Sequence, residues 1–489
     1  MGERWKHEGR VRLQIGQPFQ HLGPSVRNMP AANDPHAAFI VAAVSPLDAG
    51  HASGTLDRAD ALLLAHPDIA TTSIHAAAIL GDDAGVRRWL QINAGNATSK
   101  GGPHEWDALT HLCFSRYLRL DRARSNSFVR AATALLDAGA SANTGWLERN
   151  HQPQPEWESA IYGAAGVARH PELTRLLLSR GADPNDEETP YHAPETHDNA
   201  ALKELVASGK LTDESLTTML LRKADWHDAD GITWLLAQGA NPNHFTRWGR
   251  TALHQAIQRD NDFAIIKVLL EHGADPSKIA LPTRGAHTTA SGTSAVALAA
   301  RRGRGDILEL FEQRGLPIEL DRFDMLLAAC ARDDPKAIVA IATDEPDVVR
   351  QLRADGGRPL AEFSGVGNVN GVRHLLDLGV PITALYEEGD GYYSIARNSM
   401  AIHVAAWRAR HATLRLLVER GSPIDKRDGT GRTPLALAVR ACVDSYWSNR
   451  RSPESVRVLL DAGASAADGG VVFPSGYSEV DDMLRMRRA

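Results

Sequence analysis

Titratable side chains crowd two short stretches of this chain. One reads Thr-Pro-Tyr-His-Ala-Pro-Glu-Thr-His-Asp over 189–198, the other Thr-Met-Leu-Leu-Arg-Lys-Ala-Asp-Trp-His-Asp over 218–228. They bring together His192, Glu195, His197, Lys223 and His227, with Tyr162 a little upstream. A carboxylate, an ammonium and imidazoles held in a partly dry place are what acid–base chemistry uses, because burial and neighbouring charges move their pKa values toward the working pH. In such a site Glu195 or a histidine is the base, Lys223 the electrostatic partner, and Trp157 and Trp226 the apolar walls. The competing reading is structural: Glu195 pairs with Lys223, and His192, His197, Asp198, Asp225 and His227 supply the hydrogen bonds that a semi-buried ion pair needs. Histidine and carboxylate are present without a recognised ligand spacing, so no metal site and no cofactor is expected.

Other chemistries find little support. Cys113, Cys330 and Cys442 cannot make a disulfide framework or a four-ligand zinc site, and no His/Asp spacing marks any of them as a nucleophile. Cys442 alone, in Cys-Val-Asp-Ser-Tyr-Trp-Ser-Asn-Arg, is expected to be exposed. No Walker loop, G-x-S-x-G, H-E-x-x-H or dinucleotide fingerprint occurs, and Gly365-Val-Gly367 reads as a turn. Carboxylates beside Trp and Tyr suggest carbohydrate cleavage, but no two of them pair by spacing. With 54 Lys+Arg against 60 Asp+Glu, the net charge of −6 argues against a phosphate-backbone binder. The longest apolar run, Ala37 to Val44, is far short of a membrane span, and the polar N-terminus has no secretion pattern. A reducing, cytoplasmic setting is the expectation, and arginine- and alanine-rich usage fits a GC-rich bacterial genome.

The elements that must position these groups repeat along the chain. Leu-Leu-Asp-Ala-Gly-Ala-Ser-Ala-Asn (135–143), Leu-Leu-Ser-Arg-Gly-Ala-Asp-Pro-Asn (177–185), Leu-Leu-Ala-Gln-Gly-Ala-Asn-Pro-Asn (235–243), Leu-Leu-Glu-His-Gly-Ala-Asp-Pro (269–276) and Leu-Leu-Asp-Ala-Gly-Ala-Ser (459–465) are variants of one ending. An opening precedes it, as in Thr-Ser-Ile-His-Ala-Ala-Ala (72–78), Thr-Ala-Leu-His-Gln-Ala (251–256), Met-Ala-Ile-His-Val-Ala-Ala (400–406) and Thr-Pro-Leu-Ala-Leu-Ala (433–438). Each unit has two short apolar-periodic stretches around a turn, for example Val296, Leu298, Ala299 and then Ile307, Leu308, Leu310, Phe311. Two helices that short bury their faces only by stacking on neighbours.

The pattern resembles the ankyrin repeat, with units opening at 72, 107, 159, 189, 218, 251, 294, 324, 358, 400 and 433. The resemblance implies an all-α ankyrin-repeat solenoid of about eleven helix-turn-helix units. Residues 1–71 are expected to form a divergent N-terminal cap with helices at Ala37–Val44 and Ala59–Ala65, 72–470 the array, and 471–489 a C-terminal capping helix. His75, His192, His254 and His403 occupy a position that normally makes structural hydrogen bonds. Against this pattern, Pro194-Glu195 and Lys223 stand where small residues should touch. Long steps place fingers at 144–158, 277–293 and 383–399. The family implies a protein-interaction module, acting as a monomer, that binds a protein or peptide through its concave groove and needs neither nucleic acid nor membrane. Trp146, Trp157, Tyr191, Trp248, Tyr392, Tyr393 and Trp407, the aromatics in or beside fingers and openings, are the expected contacts. The alternative is a small-molecule or enzymatic pocket around residues 157–228, with His192, Glu195, Lys223 and His227 as its catalytic groups.

Overall fold

The computed structural model describes residues 34–488 apart from 48, 150, 152, 153, 283–291 and 468. The first 33 residues of the expected cap and most of the 277–293 finger therefore lie outside the described residues. The described residues divide into two compact units, one over 34–275 with 280–282, the other over 276–279 and from 292 onward. Both are built from short helices.

In the first unit the repeated openings act as helix caps. The Ser73 hydroxyl accepts from the Ala76 amide at 3.1 Å to start helix Ile74–Leu80. Asp107 does the same for Ala108–Cys113, and Thr251 for Ala252–Gln258. A side-chain oxygen at this position satisfies an amide that has no partner within the helix. Helix Ile74–Leu80 ends at Gly81, whose φ of +65° turns the chain into Asp83–Ile92. Consecutive openings stack: Ile74–Leu80 lies on Ala108–Cys113, and Asp213–Asp225 lies between Glu188–His192 and Ala252–Gln258. Ala76, Ala77 and Ala78 are buried where these helices approach, as is Cys113. Ahead of them, helices Pro35–Ala43 and Asp57–Ala65 fall close to where they are expected.

The second unit follows the same plan. Ala295–Arg301 packs on Arg322–Ala331, and Gly357–Val366, Ala401–Trp407 and Pro434–Asp444 form a further stack. Helix Ser478–Arg488 packs on Glu454–Asp461 and buries Val480 and Leu484.

Two of the fingers carry short antiparallel ladders. In the first unit β1 (Gly145–Glu148) pairs with β2 (Glu156–Ser159), and in the second β3 (Leu385–Tyr386) pairs with β4 (Ser399–Met400). Several expectations of detail change. Ser73 rather than Thr72 caps its helix, and Thr189 and Arg358 lie inside theirs. Thr218 is not an opening residue: the helix starts at Asp213 with Thr212 as its cap, which leaves Thr218 inside it. Likewise Asp321, not Asp324, caps Arg322–Ala331. Cys442 is buried, because it lies on Pro434–Asp444, and its thiol donates to the Ala438 and Ser452 carbonyls.

The close helix contacts give a direct prediction. Ala405→Leu forces extra methylenes into a fully enclosed position, so it should cost about 1–3 kcal/mol. Val339→Leu on an exposed face should change little. Urea unfolding midpoints of the two variants measure the contrast.

Candidate functional site

The crowded stretches of the first unit meet in one layered network. Helix Asp213–Asp225 is its middle layer, so a long side chain there can reach neighbours on both sides. Arg222 does so. Its guanidinium donates to the Glu195 and Asp225 carboxylates, its Nε donates to the Tyr191 carbonyl at 3.2 Å, and its Cζ sits 3.9 Å from the centre of the Tyr191 ring. Asp225 also accepts from Arg259 Nε at 2.7 Å and from the Gln255 amide. On the opposite side His192 lies between two carboxylates, with Nε2 3.0 Å from Glu188 and Nδ1 3.1 Å from Glu195.

The expected pairing of Glu195 with Lys223 is therefore corrected. Successive residues of a helix point about 100° apart, so Arg222 and Lys223 cannot share a target. Arg222 takes Glu195, while Lys223, fully enclosed, donates to Asp228 Oδ2 at 2.7 Å and to the Thr196 carbonyl. His197 is mostly exposed beside Asp228, and His227, in a left-handed conformation with φ of +51°, faces Asn261. Neither converges on Glu195. His75, His254 and His403 make the structural hydrogen bonds expected of them, to the Ser99 carbonyl, the Thr251 hydroxyl and the Lys426 carbonyl. His192 is the exception in that row.

Electrostatics fixes these charges. Burial alone would push the Glu195 carboxyl up, but the His192 cation and the Arg222 guanidinium override it and hold it at about 2. Burial alone would lower His192, yet Glu195 and Glu188 raise it to about 10. Groups placed so far from neutrality keep their charges rather than exchange protons, which suits a network that holds elements together better than one that moves protons.

A second cluster adjoins the first through Glu188 and His192. The β1–β2 ladder alternates: Trp146 and Glu158, paired across it, are buried, whereas Leu147 and Trp157, the next pair, are 46% and 44% exposed. On the inward side Trp146 stacks on Trp106 with centroids 5.1 Å apart and meets Phe114 and His51 edge-on. His51 Nδ1 lies 2.9 Å from the Tyr162 hydroxyl and 3.7 Å from Glu158, and its Nε2 is 3.5 Å from Glu148. Burial and the His192 cation lower His51 to about 4. Burial, with Glu188 and Glu148 nearby, pushes Glu158 up to about 9. Tyr162 is held against His192 by a single π-helical turn, Gly163–Val167, in which a Cβ on Gly166 would lie 2.7 Å from the Tyr162 ring and 3.1 Å from His192 Cβ.

The expected contact aromatics separate by burial. Trp146, Tyr393 and Trp407 are 8%, 2% and 3% exposed. They serve the interior: Trp407 Nε1 donates to the Tyr393 carbonyl, and Tyr393 with Trp447 encloses the Arg408 guanidinium. Trp157 is exposed, and Tyr191, Trp248 and Tyr392 are half-buried. Tyr191 and Trp248 lie 5.5 Å apart, with Arg247 over Trp248 and paired to Glu187. Sequence reasoning missed His51, Glu148, Glu158, Glu188, Arg222 and Trp106. The alternation in Gly-Trp-Leu-Glu and Glu-Trp-Glu-Ser was the available signal for the hairpin glutamates.

Comparison with known proteins places the repeated motif. A family model of ankyrin repeats (3 copies) matches residues 220–324. Serine/threonine-protein kinase 12 of Arabidopsis thaliana is 31% identical over 85 residues, 17% of this chain and 17% of that protein. The chain thus matches well under a fifth of that relative's length. Among solved structures, the human ASB11 ankyrin repeat domain has 20% identity, covers 55% of this chain and 97% of its own, and superimposes with a TM-score of 0.26. The ankyrin repeat domain of Bcl-3 has 19% identity, covers 49% and 97%, and gives 0.22.

Glu195→Gln should destabilise the protein at pH 7 by about 3 kcal/mol, because it removes one of the two carboxylates that Arg222 and His192 each hold in a buried place. A depressed carboxyl contributes stability above its unfolded pKa, and that contribution disappears as pH falls toward its folded value. The gap between wild type and Glu195→Gln should therefore narrow from pH 4.5 down to about 2. Chemical denaturation at pH 7 and pH 3 measures it.

Proposed function

We propose that this ankyrin repeat protein is a protein-interaction module that recognises a protein or peptide through the first unit, on the outward face of the β1–β2 finger and an aromatic ledge of the same unit. Ankyrin repeats generally mediate contacts between proteins, and that supports the class of partner. The observation that carries the choice of surface is the cross-strand pair Leu147 and Trp157, two large apolar side chains left nearly half exposed on one rung of a ladder whose other face is filled. Adjacent exposed apolar side chains of this kind suit an interaction surface, and aromatic side chains dominate interface energetics. Tyr191 and Trp248, 5.5 Å apart, make a second apolar surface on the same unit, with Arg247, Glu187 and Glu214 as its charged rim. Tyr392 offers a separate contact on the second unit. The partner surface that fits is a small apolar protrusion flanked by charges of both signs.

The reading of residues 157–228 as a catalytic pocket has less in its favour. His192, Glu195 and Lys223 are each engaged by opposite charges, and His227 is turned away from Glu195. Among the described residues no helix is long and apolar enough to cross a membrane.

Affinity capture with the full chain from its native host, followed by quantitative mass spectrometry, tests the assignment. Trp157→Ala combined with Leu147→Ser should reduce capture of the specific partner at least tenfold, a loss of more than about 1.4 kcal/mol. Circular dichroism of the variant should be unchanged, since both side chains face outward. Undiminished capture by that variant would remove the finger from the interface.

A further inference from the structure

We propose that His51, Glu148 and Glu158 form a binding site for one divalent metal ion of the zinc type, which clamps the β1–β2 finger to the chain segment around His51. The three side chains come from separate parts of the sequence and offer one imidazole nitrogen and two carboxylate oxygens, all within 4.8 Å of one another. Ligand bonds of about 2.1 Å in a tetrahedron put donor atoms about 3.4 Å apart. With His51 Nε2 as the ligand nitrogen, its 3.5 Å separation from Glu148 is already near that spacing, and Glu158 completes the set within 4.8 Å.

A second observation is independent of the clustering. Glu158 has no exposed surface, and neither carboxylate oxygen receives a hydrogen bond from a donor among the described residues. What faces them is the edge of the His51 ring and the Glu148 carboxylate, which can share one proton with Glu158. A buried carboxylate without a partner is costly, and ordinary structures avoid it. Glu148 and Glu158 also occupy the same inward face of one short ladder, where like charges oppose pairing. A cation at their common centre resolves both problems. Arg222 and Lys223 cannot serve, since each is committed to other carboxylates.

The surroundings have the features of a built metal site. The Tyr162 hydroxyl lies 2.9 Å from His51 Nδ1, where it can fix the ring's orientation. Phe114 and Trp146 flank the imidazole with apolar surface, and Trp106 packs behind them. Glu148 is the most exposed of the three, so a water completing the coordination would enter from its side. A mixed nitrogen and oxygen set favours zinc over magnesium or calcium, which take oxygen ligands and higher coordination.

The test uses the full chain stripped with a chelator, with zinc chloride as the probe. Uptake is measured by equilibrium dialysis with elemental analysis and followed through tryptophan fluorescence, to which Trp146, 5.5 Å from the His51 ring, should contribute. Wild type should bind one more equivalent than Glu158→Gln or His51→Ala, with an affinity loss of at least tenfold in each variant, and zinc should raise its melting temperature but not theirs. Uptake unchanged by both substitutions, or no zinc uptake by the wild type, would overturn the site. Equal or tighter binding of magnesium or calcium would overturn the zinc assignment. Should Glu158→Gln fail to fold, the wild-type titration and His51→Ala decide the matter.

Discussion

Everything in this molecule depends on the inability of two short helices to hide their own apolar faces. Helices of seven to ten residues, such as Ile74–Leu80 and Asp83–Ile92, are marginal alone and leave apolar surface on both sides of the pair. The next opening helix covers one side, and its own successor covers the next. That arrangement demands small side chains where openings touch, which is why Ala76, Ala77, Ala405 and Ala406 are enclosed. It also means that a substitution in one layer is felt by two neighbours.

In the layer formed by Asp213–Asp225 one of the small residues is replaced by Lys223, while Ala224 keeps its place. With Arg222 beside it, the layer buries two cations. Each must find an anion within reach, because burying a charge without a partner costs several kcal/mol. Arg222 finds Glu195 on one side and Asp225 on its own helix, and Asp225 in turn holds Arg259 and Gln255 from the following layer. Apolar contact between layers is thereby replaced by a directional set of bonds. Shape alone would tolerate sliding between helices, whereas these bonds fix one relative position.

Much of this was readable in the residues. The capping oxygens at 107, 251, 294 and 433 and the closing glycines follow local rules, and local rules act within a few positions. The concentration of charge at 189–198 and 218–228 was equally plain. Its wiring was not, because choosing Arg222 over Lys223 for Glu195 requires knowing where the helix begins, and Thr212 rather than Thr218 is the cap. The finger at 144–158 read as a loop, since four-residue strands give too short an alternation to stand out. His51 was invisible for another reason: nothing in its own neighbourhood reveals that folding brings it to Glu148 and Glu158.

The strict alternation of the β1–β2 finger imposes a rule on its evolution. Its inward face carries Trp146 and Glu158 and its outward face Leu147 and Trp157, so a single-residue insertion or deletion within either strand would exchange the roles of every side chain beyond it. The residues between the strands escape that rule. Descendants of this sequence can lengthen or shorten the tip freely, but within the ladder they can change only by substitution, one face at a time. The finger can thus acquire a new specificity on its outer face while the parity of its strands keeps the inner face intact.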